Sequence, residues 1–342
     1  MIMQWLKDGV VLGDGGSVFE MERRGYVSAG PFTPEATVEH PEAVKQLHTD
    51  FARAGSQVLQ ALTYYAHEAK LSQIGMEGSL KQMNQAAVIL ARDVAEEYGC
   101  LVAGSLGNTW VYDPADEATH KQTRRQYDQQ IEYQLPHGVD FFIAETLEYL
   151  GEAEIALEAI KEAGRPAMIT MGFKYHDRTK DGVSLEDAFR RLEQSGADIV
   201  GLNCFRDPDR TLPLANRVRD TVSCFVATQP AAYRCTDEKP YFQIQEFQGR
   251  IAFPVELDPF VLTRVEMAAY ALSAKRMGIN YIGGCCGTAP HHIRAMAEAL
   301  GRKAPNSKYS PRLEVHPILG TPEHILERDR RTLREQRHTE TG

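Results

Sequence analysis

The sequence predicts an α/β fold, a (β/α)8 barrel followed by a C-terminal extension. Short apolar runs rich in β-branched residues alternate with longer amphipathic stretches, and eight such pairs precede a polar tail. Gly164, Gly196 and Gly278 each stand just before a predicted strand, where helices commonly end. Reactive side chains recur where predicted strands end, and in barrels of this kind the active site lies at that face.

Each predicted strand is short enough for a barrel wall. The strands are residues 10–14, 57–63, 101–105, 140–145, 167–171, 198–203, 224–228 and 280–283. Helix-like segments between them include residues 41–54, 79–98, 151–163, 184–195, 259–277 and 290–300. Several begin with Pro or Ser and end near Gly, as helix ends prefer. Residues 1–300 are therefore predicted to form one barrel domain.

Residues 301–342 lose the strand rhythm and become polar, which predicts an extension that wraps or docks. Its apolar anchors favour an oligomerisation arm and hence a homo-oligomer, and a solvated, frayed tail is the alternative. These anchors are Leu313, Val315, Ile318, Leu319, Ile325 and Leu326.

Charge and composition narrow the class of protein. The 342 residues carry a formal net charge of -9, with Lys and Arg spread along the chain, so nucleic acid is not an expected partner. The N-terminus is too short and polar for a signal peptide, and no apolar run approaches the roughly 20 residues of a membrane span. We therefore expect a cytoplasmic protein without membrane contact.

The six cysteines do not indicate a disulfide scaffold, because the chain is long and has no secretory signal. Cys285 and Cys286 are adjacent between glycines after the eighth predicted strand. Neighbouring side chains on a regular strand point to opposite faces, so both thiols can meet one metal only if the backbone turns there. The flanking glycines permit that turn.

A third thiol, Cys204, ends the sixth predicted strand on the same rim of the barrel. Three thiolates with a vacant fourth position are typical of catalytic rather than structural zinc. Buried free cysteines are the alternative. Cys100 and Cys224 are expected in the core or at the bottom face, and Cys235 lacks a ligand-spacing motif.

Together the motifs resemble those of the homocysteine S-methyltransferase family. They are Gly-Gly-Cys-Cys-Gly at 283–287, Gly-Leu-Asn-Cys at 201–204 and Asp-Gly-Gly at 14–16. Residues 25–75, with Gly-Pro-Phe-Thr-Pro-Glu at 30–35 and Glu-His-Pro-Glu-Ala-Val at 39–44, are similar to the branch of that family that uses betaine. The resemblance covers residues from about 10 to 300 and implies a zinc-bearing barrel.

The resemblance implies roles for residues at the strand ends. Cys204, Cys285 and Cys286 would hold Zn2+, while Asp14 and Glu145 would hold the amino group of homocysteine and act as the catalytic pair. Structural acids that cap loops are the alternative for the two carboxyl groups. Gly15 and Gly16 offer unobstructed backbone N–H groups suited to a carboxylate.

Phe32, Tyr64 and Tyr65 match aromatic donor-site positions of the betaine-using branch, where a methylated cation would be recognised by ring faces. Core packing is the alternative for these rings. Phe32 stands where that branch has Trp, and Thr146 where it has Tyr. These departures leave the donor open among betaine, S-methylmethionine, dimethylsulfoniopropionate and a methyl-corrinoid.

Two other classes of protein would also use the cysteines. A zinc barrel hydrolase would activate water at the open metal position. It would ordinarily use histidine and carboxylate ligands, so three thiolates disfavour it. A non-enzymatic zinc or thiol redox sensor would report oxidation of the vicinal pair, but it leaves Asp14, Glu145 and the aromatic residues without a role.

Overall fold

The computed structural model describes residues 1–302. Its barrel strands, numbered along the chain, are β1 (Val11–Leu12), β2 (Val58–Gln60), β3 (Leu101–Leu106), β4 (Phe141–Leu147), β5 (Ala167–Met171), β6 (Ile199–Asn203), β7 (Phe225–Gln229) and β8 (Tyr281–Ile282). They pair in parallel in the order β1-β8-β7-β6-β5-β4-β3-β2. The predicted (β/α)8 barrel is confirmed.

The seam between β1 and β2 brings the two ends of the sheet together. The Gln57 N–H donates to the Leu12 carbonyl at 2.8 Å. The Leu12 N–H donates in turn to the side-chain oxygen of Gln57 at 3.0 Å. One glutamine thus supplies both a donor and an acceptor where the short first strand offers few backbone partners, and the barrel is nearly closed.

Helices connect the strands. They are α1 (Ile2–Asp8), α2 (Ser17–Arg23), α3 (Ala36–Glu39), α4 (Pro41–Ala54), α5 (Glu68–Leu71), α6 (Leu80–Tyr98), α7 (Glu117–Gln134), α8 (Leu150–Glu162), α9 (Leu185–Gln194), α10 (Pro208–Thr221), α11 (Arg264–Arg276) and α12 (Pro290–Ala299). Helices α8, α9 and α11 are followed by Gly164, Gly196 and Gly278, as the sequence predicts. These glycines have positive φ values of 67°, 93° and 77°, the conformation that commonly ends a helix.

The segment predicted as a helix over 259–277 begins only at Arg264, because Thr263 forms a capping box with Glu266 there. The connection before it, between β7 and α11, is long and carries a small antiparallel hairpin of Glu246–Phe247 with Arg250–Ile251. This connection supplies one wall of the cavity described below.

Two apolar clusters hold the barrel together. One apolar cluster packs the outward faces of the strands against the surrounding helices. A second fills the lower barrel interior, where Ile2 and Leu6 of α1 pack with inward residues such as Phe141 and Tyr281. Helix α1 therefore plugs the N-terminal end of the barrel and leaves the opposite end open for a site.

Within residues 1–302, no helix has the length and apolar character needed to cross a membrane. The predicted oligomerisation arm, with its anchors from Leu313 to Leu326, lies outside the described residues.

Candidate active site

A cavity of about 300 Å³ opens at the C-terminal end of the barrel strands. Its wall includes ten of the residues predicted from sequence, contributed by β4 and by connections that follow other strands. These are Gly15, Gly16, Phe32, Tyr64, Tyr65, Glu145, Thr146, Cys204, Cys285 and Cys286. The sequence-derived site is therefore gathered around one cavity, with Asp14 alone outside its lining.

The three predicted metal-binding thiols meet at this cavity. The Sγ atoms of Cys204 and Cys286 are 3.3 Å apart, and those of Cys285 and Cys286 are 3.9 Å apart. All three sulfur atoms lie within 4.8 Å of one another, an arrangement that could hold a metal ion. None of the three is in a disulfide.

The backbone turns that bring the thiols together follow strand ends. Cys204 and Phe205 adopt φ of 59° and 50° directly after β6, and Gly287 adopts 79° after the vicinal pair. The Thr288 N–H donates to the Cys285 carbonyl at 3.0 Å and closes a tight turn over residues 285–288. This is the backbone turn that two adjacent ligands require.

The three thiols differ in the direction in which their pKa values are shifted. Hydrogen bonds from Cys285 and then Cys286 hold the pKa of Cys204 well below its usual value. Hydrogen bonding with Cys204 raises the pKa of both Cys285 and Cys286 well above theirs. The cluster therefore carries one thiolate readily, and a bound cation would displace the protons that remain.

Glu145 is a buried carboxyl group held by neutral donors. Gln60 Nε2 donates to Glu145 Oε1, as does Ser105 Oγ at 3.3 Å. Asn203 Nδ2 donates to Glu145 Oε2 at 3.1 Å. Burial is the main cause that raises its pKa to about 7. None of these three hydrogen-bond donors carries a positive charge that would favour the ionised carboxylate.

Asp14 lies behind Gln60, is 1% exposed and does not line the cavity. Its Oδ2 accepts the Gln60 N–H at 2.8 Å. Burial raises its pKa to about 8, and the nearby Glu145 adds to the rise. Gln60 therefore bonds to both carboxyl groups: its backbone N–H donates to Asp14, and its side-chain amide donates to Glu145.

Close packing around residues 15 and 16 leaves no room for a Cβ atom, so both positions require glycine. A Cβ on Gly15 would lie 2.3 Å from the Thr288 carbonyl oxygen, and one on Gly16 would lie 2.6 Å from the Cys285 carbonyl oxygen. The Gly16 N–H donates to the Thr288 carbonyl at 3.0 Å. This amide, proposed from sequence to meet a substrate carboxylate, is thus engaged by the thiol turn.

Aromatic rings form most of the opposite wall. Phe32 stacks on Phe19 with ring centroids 5.4 Å apart, and Phe253 approaches it at 5.6 Å from the long β7–α11 connection. Tyr64 and Tyr65 lie with centroids 4.2 Å apart. The three predicted aromatic residues face the cavity, accompanied by rings that the sequence did not single out.

Trp110 is one of those additional rings. It lines the cavity, is 62% exposed and lies edge-on to Tyr65 at 6.1 Å. The ammonium of Lys70 sits 4.7 Å from both ring centroids. An indole is therefore present at the cavity although Phe32 replaces the tryptophan of the betaine-using branch, and the pair already binds one cation of the protein.

Unusual backbone geometry is concentrated here. In residues 1–302, six non-glycine residues have positive φ, and five of them line the cavity. They are Phe32, Trp110, Thr146, Cys204 and Phe205. Such conformations persist only where the surrounding structure enforces them, and they cluster at functional sites.

The remaining cysteines lie elsewhere. Cys100 donates to the Ser56 carbonyl at 3.3 Å and Cys235 to the Tyr233 carbonyl at 3.4 Å. Burial raises the pKa of Cys235 to about 12. Neither belongs to the thiol group that could hold a metal, which agrees with the sequence-based separation of the six.

Taken with the fold, these features define an α/β-barrel enzyme whose cavity joins a thiol cluster to a buried carboxyl group and a wall of rings. Residues 11–300 match the family model described as homocysteine S-methyltransferase. Betaine–homocysteine S-methyltransferase 1 of Danio rerio is 43% identical over 298 residues, covering 85% of this chain and 73% of that protein. The S-methylmethionine–homocysteine S-methyltransferase BHMT2 of Pongo abelii is 38% identical over 319 residues, covering 91% and 83%.

Among solved structures, the metallated form of the homocysteine methyltransferase MmuM from Escherichia coli has a similar fold. Its TM-score is 0.71, with 22% identity over 87% of this chain and 99% of that one. The chain belongs to the homocysteine S-methyltransferase family and is a methyltransferase. The resemblance inferred from the sequence motifs is thus confirmed.

Proposed function

We propose that this enzyme transfers a methyl group from a small cationic donor, betaine or a related onium compound, to the sulfur of homocysteine, giving methionine in a zinc-dependent reaction. The observation that carries the proposal is the meeting of three thiols, a buried carboxyl group and a wall of aromatic rings at one cavity. Thiols and carboxyl group fit homocysteine, and the rings fit a methylated cation.

The donor set fits zinc. Tetrahedral zinc with bonds of about 2.3 Å to sulfur separates two ligand sulfurs by about 3.8 Å. The separations of 3.3 and 3.9 Å among the thiols bracket that value and need only small adjustment. When bound, zinc would keep the sulfur of homocysteine in the thiolate form at neutral pH.

The protein's own groups would position the amino acid. Glu145 would accept the ammonium group of homocysteine, because a cation compensates the burial of this carboxylate. Asp14 would add negative charge from behind Gln60. Since the Gly16 amide is engaged by Thr288, we assign the substrate carboxylate to the neighbourhood of Gly15.

Methyl transfer then needs alignment more than acid–base help. The homocysteine sulfur forms a bond to the methyl carbon as the bond from that carbon to the donor nitrogen or sulfonium breaks. The electron pair of the broken bond leaves with a neutral amine or thioether, so no proton has to move in the step. Holding the two substrates in line in a ring-lined cavity would supply proximity catalysis.

The aromatic wall supports a cationic donor but leaves its identity open. Relatives named for betaine and for S-methylmethionine are of similar identity to this chain. Phe32 and Thr146 alter the donor wall relative to the betaine-using branch, and Trp110 also lines the cavity. S-methylmethionine is therefore the second candidate donor, followed by dimethylsulfoniopropionate and a methyl-corrinoid.

A donor screen tests the proposal. Zinc-loaded protein is incubated with homocysteine and, in turn, betaine, S-methylmethionine, dimethylsulfoniopropionate and a methyl-corrinoid protein, and methionine is measured by mass spectrometry. We expect methionine from at least one cationic donor and its loss after zinc is chelated. Methionine from the methyl-corrinoid alone would contradict the cationic donor, and homocysteine binding without turnover would favour a thiol sensor.

We further propose that the enzyme works in the cytoplasm as a homo-oligomer, with residues 301–342 as the oligomerisation arm of a barrel domain formed by residues 1–300. The acidic composition and the apolar anchors of the arm support this. Light scattering of the full chain, compared with a chain ending at Arg302, measures the contribution of the arm. Equal subunit numbers in both would contradict its role.

A further inference from the structure

A lysine lies in the cavity wall without a role in the chemistry described so far. Lys174 follows β5, lines the cavity and has a side chain that is 31% exposed. Its ammonium stands 4.4 Å from the ring centroid of Phe205, the residue directly after Cys204. A positive charge thus lies in the wall of a cavity that is proposed to receive a cation.

Lys174 is only partly neutralised by its surroundings. Its Nζ lies 2.8 Å from Glu148 Oε1, and the ammonium of Lys180 pairs with the other oxygen of the same carboxylate. Two ammonium groups therefore share one carboxylate, which leaves an excess positive charge. Glu148 and Lys174 line the cavity, whereas Lys180 does not. Of the two ammonium groups, that of Lys174 is therefore the one on the cavity side.

A bare methylated cation would be repelled by this charge, since like charges near a low-dielectric wall interact unfavourably. A donor that carries a carboxylate beside its onium centre would instead meet an opposite charge at each end. The onium methyls would face the rings, and the carboxylate would face the ammonium. Lysine binds a carboxylate through strong, charge-assisted hydrogen bonds.

We propose that Lys174 binds the carboxylate of a zwitterionic methyl donor and thereby selects such donors over methylated cations that lack a carboxylate. This inference rests on the proposed function, because it names a specificity-determining residue for the donor of that reaction. The aromatic wall recognises the onium centre of either type of donor, so discrimination between them falls to the lysine.

Two matched pairs of donors test the assignment. Betaine and dimethylsulfonioacetate carry a carboxylate, whereas tetramethylammonium and trimethylsulfonium present comparable methyl groups without one. The zinc-loaded full chain is assayed with saturating homocysteine, and kcat/KM is compared within each pair for the wild type, Lys174→Met and Lys180→Met. Metal content and the KM for homocysteine are measured in the same preparations.

We expect Lys174→Met to lower the preference for carboxylated donors roughly tenfold or more, because one charge-assisted contact is lost. The change should appear mainly in the donor KM, with metal content and the homocysteine KM retained. Lys180→Met removes the second ammonium on Glu148 but leaves Lys174 in the cavity wall, so it should lower the preference less than Lys174→Met does.

An unchanged preference in Lys174→Met would overturn the assignment, as would a rise in the homocysteine KM alone, which would mean that the lysine binds the other substrate. Absence of methionine from all four donors, and from S-methylmethionine and dimethylsulfoniopropionate, with the wild type would overturn the cationic donor of the proposed function itself. The two failures are therefore distinguishable.

Discussion

At the scale of single residues, the proposed role of Glu145 would make homocysteine binding depend on pH. Its hydrogen-bond donors are the neutral side chains of Gln60, Ser105 and Asn203, and burial raises its pKa to about 7. A bound ammonium would lower that pKa again, because the nearby positive charge favours the carboxylate. The affinity for homocysteine should therefore be full above pH 7 and fall as pH drops below it.

The first prediction is that homocysteine affinity, measured by calorimetry on zinc-loaded protein, increases between pH 6 and pH 8. Glu145→Gln should bind roughly ten- to a hundredfold more weakly at pH 8 and should show a shallower pH dependence, since the titrating carboxyl group is gone. The thiol of the substrate also releases a proton on binding, so the difference between the two slopes isolates Glu145. Parallel slopes would contradict its role.

The second prediction concerns the metal. Cys285→Ala should lose stoichiometric zinc because it removes one of three protein ligands whose sulfurs lie within 4.8 Å of one another. Cys235→Ala is the matched control, since its thiol is buried and bonded to the Tyr233 carbonyl instead. Elemental analysis of both purified variants decides the point, and full zinc in Cys285→Ala would refute the ligand set.

Sequence alone could predict that Cys204, Cys285 and Cys286 meet, because adjacent cysteines between glycines have few other uses and Cys204 follows another strand end. Gln60 was not singled out, since the second strand was predicted to run to residue 63 and its end lies at Gln60. Trp110 and Lys174 sit in connections after strands, where no periodicity indicates which side chains turn toward the cavity. Tertiary contacts at the open end of the barrel, which a sequence pattern does not encode, place the side chains of Gln60, Trp110 and Lys174 at the cavity.

At the scale of elements, the turn over residues 285–288 depends on the loop after β1. Gly16 is the N-cap of α2, and its N–H donates to the Thr288 carbonyl. A Cβ at this position would lie 2.6 Å from the Cys285 carbonyl oxygen. The loop that carries Asp14, Gly15 and Gly16 therefore holds in place the turn that carries Cys285 and Cys286. A methyl group at position 16 would displace the adjacent Cys285 and Cys286 from their observed positions.

The third prediction is that Gly16→Ala weakens zinc binding roughly tenfold or more, as disruptions behind metal ligands commonly do. Its backbone φ of -79° suits alanine, so the added Cβ and not the conformation is the cause. Gly78→Ala is the control, because a Cβ there meets no atom within 4 Å. Competition with a zinc chelator measures both variants, and equal affinities would show that the turn adapts freely.

The helices show where pattern reading fails at this scale. The bounds of helix α7 were not given from sequence, because four of its six buried residues are polar and only Tyr127 and Ile131 supply large hydrophobic side chains. Helix α10 contains Pro213, which ordinarily indicates an interruption. Helices α4 and α6, with strong amphipathic patterns and glycines at their C-terminal ends, were predicted closely.

At the scale of the whole molecule, the barrel separates stability from chemistry. Ile2 and Leu6 of α1 pack with Val11, Phe141 and Tyr281 inside the lower barrel. The thiols, Glu145 and the aromatic wall lie at the other end. Although composition and strand rhythm predicted the barrel, they did not predict this plug, because α1 is a short helix at the very start of the chain.

The fourth prediction follows from that separation. Leu6 is 2% exposed, so Leu6→Ala leaves a cavity in the lower core and should lower the free energy of unfolding by about 2–5 kcal/mol. Zinc content and the KM for homocysteine should remain at wild-type values, since the substitution lies beneath the site. Lys7→Ala, an exposed neighbour on the same helix, should change stability by no more than about 0.5 kcal/mol. Urea unfolding of the three proteins measures the difference, and equal midpoints for Leu6→Ala and wild type would show that α1 does not stabilise the barrel.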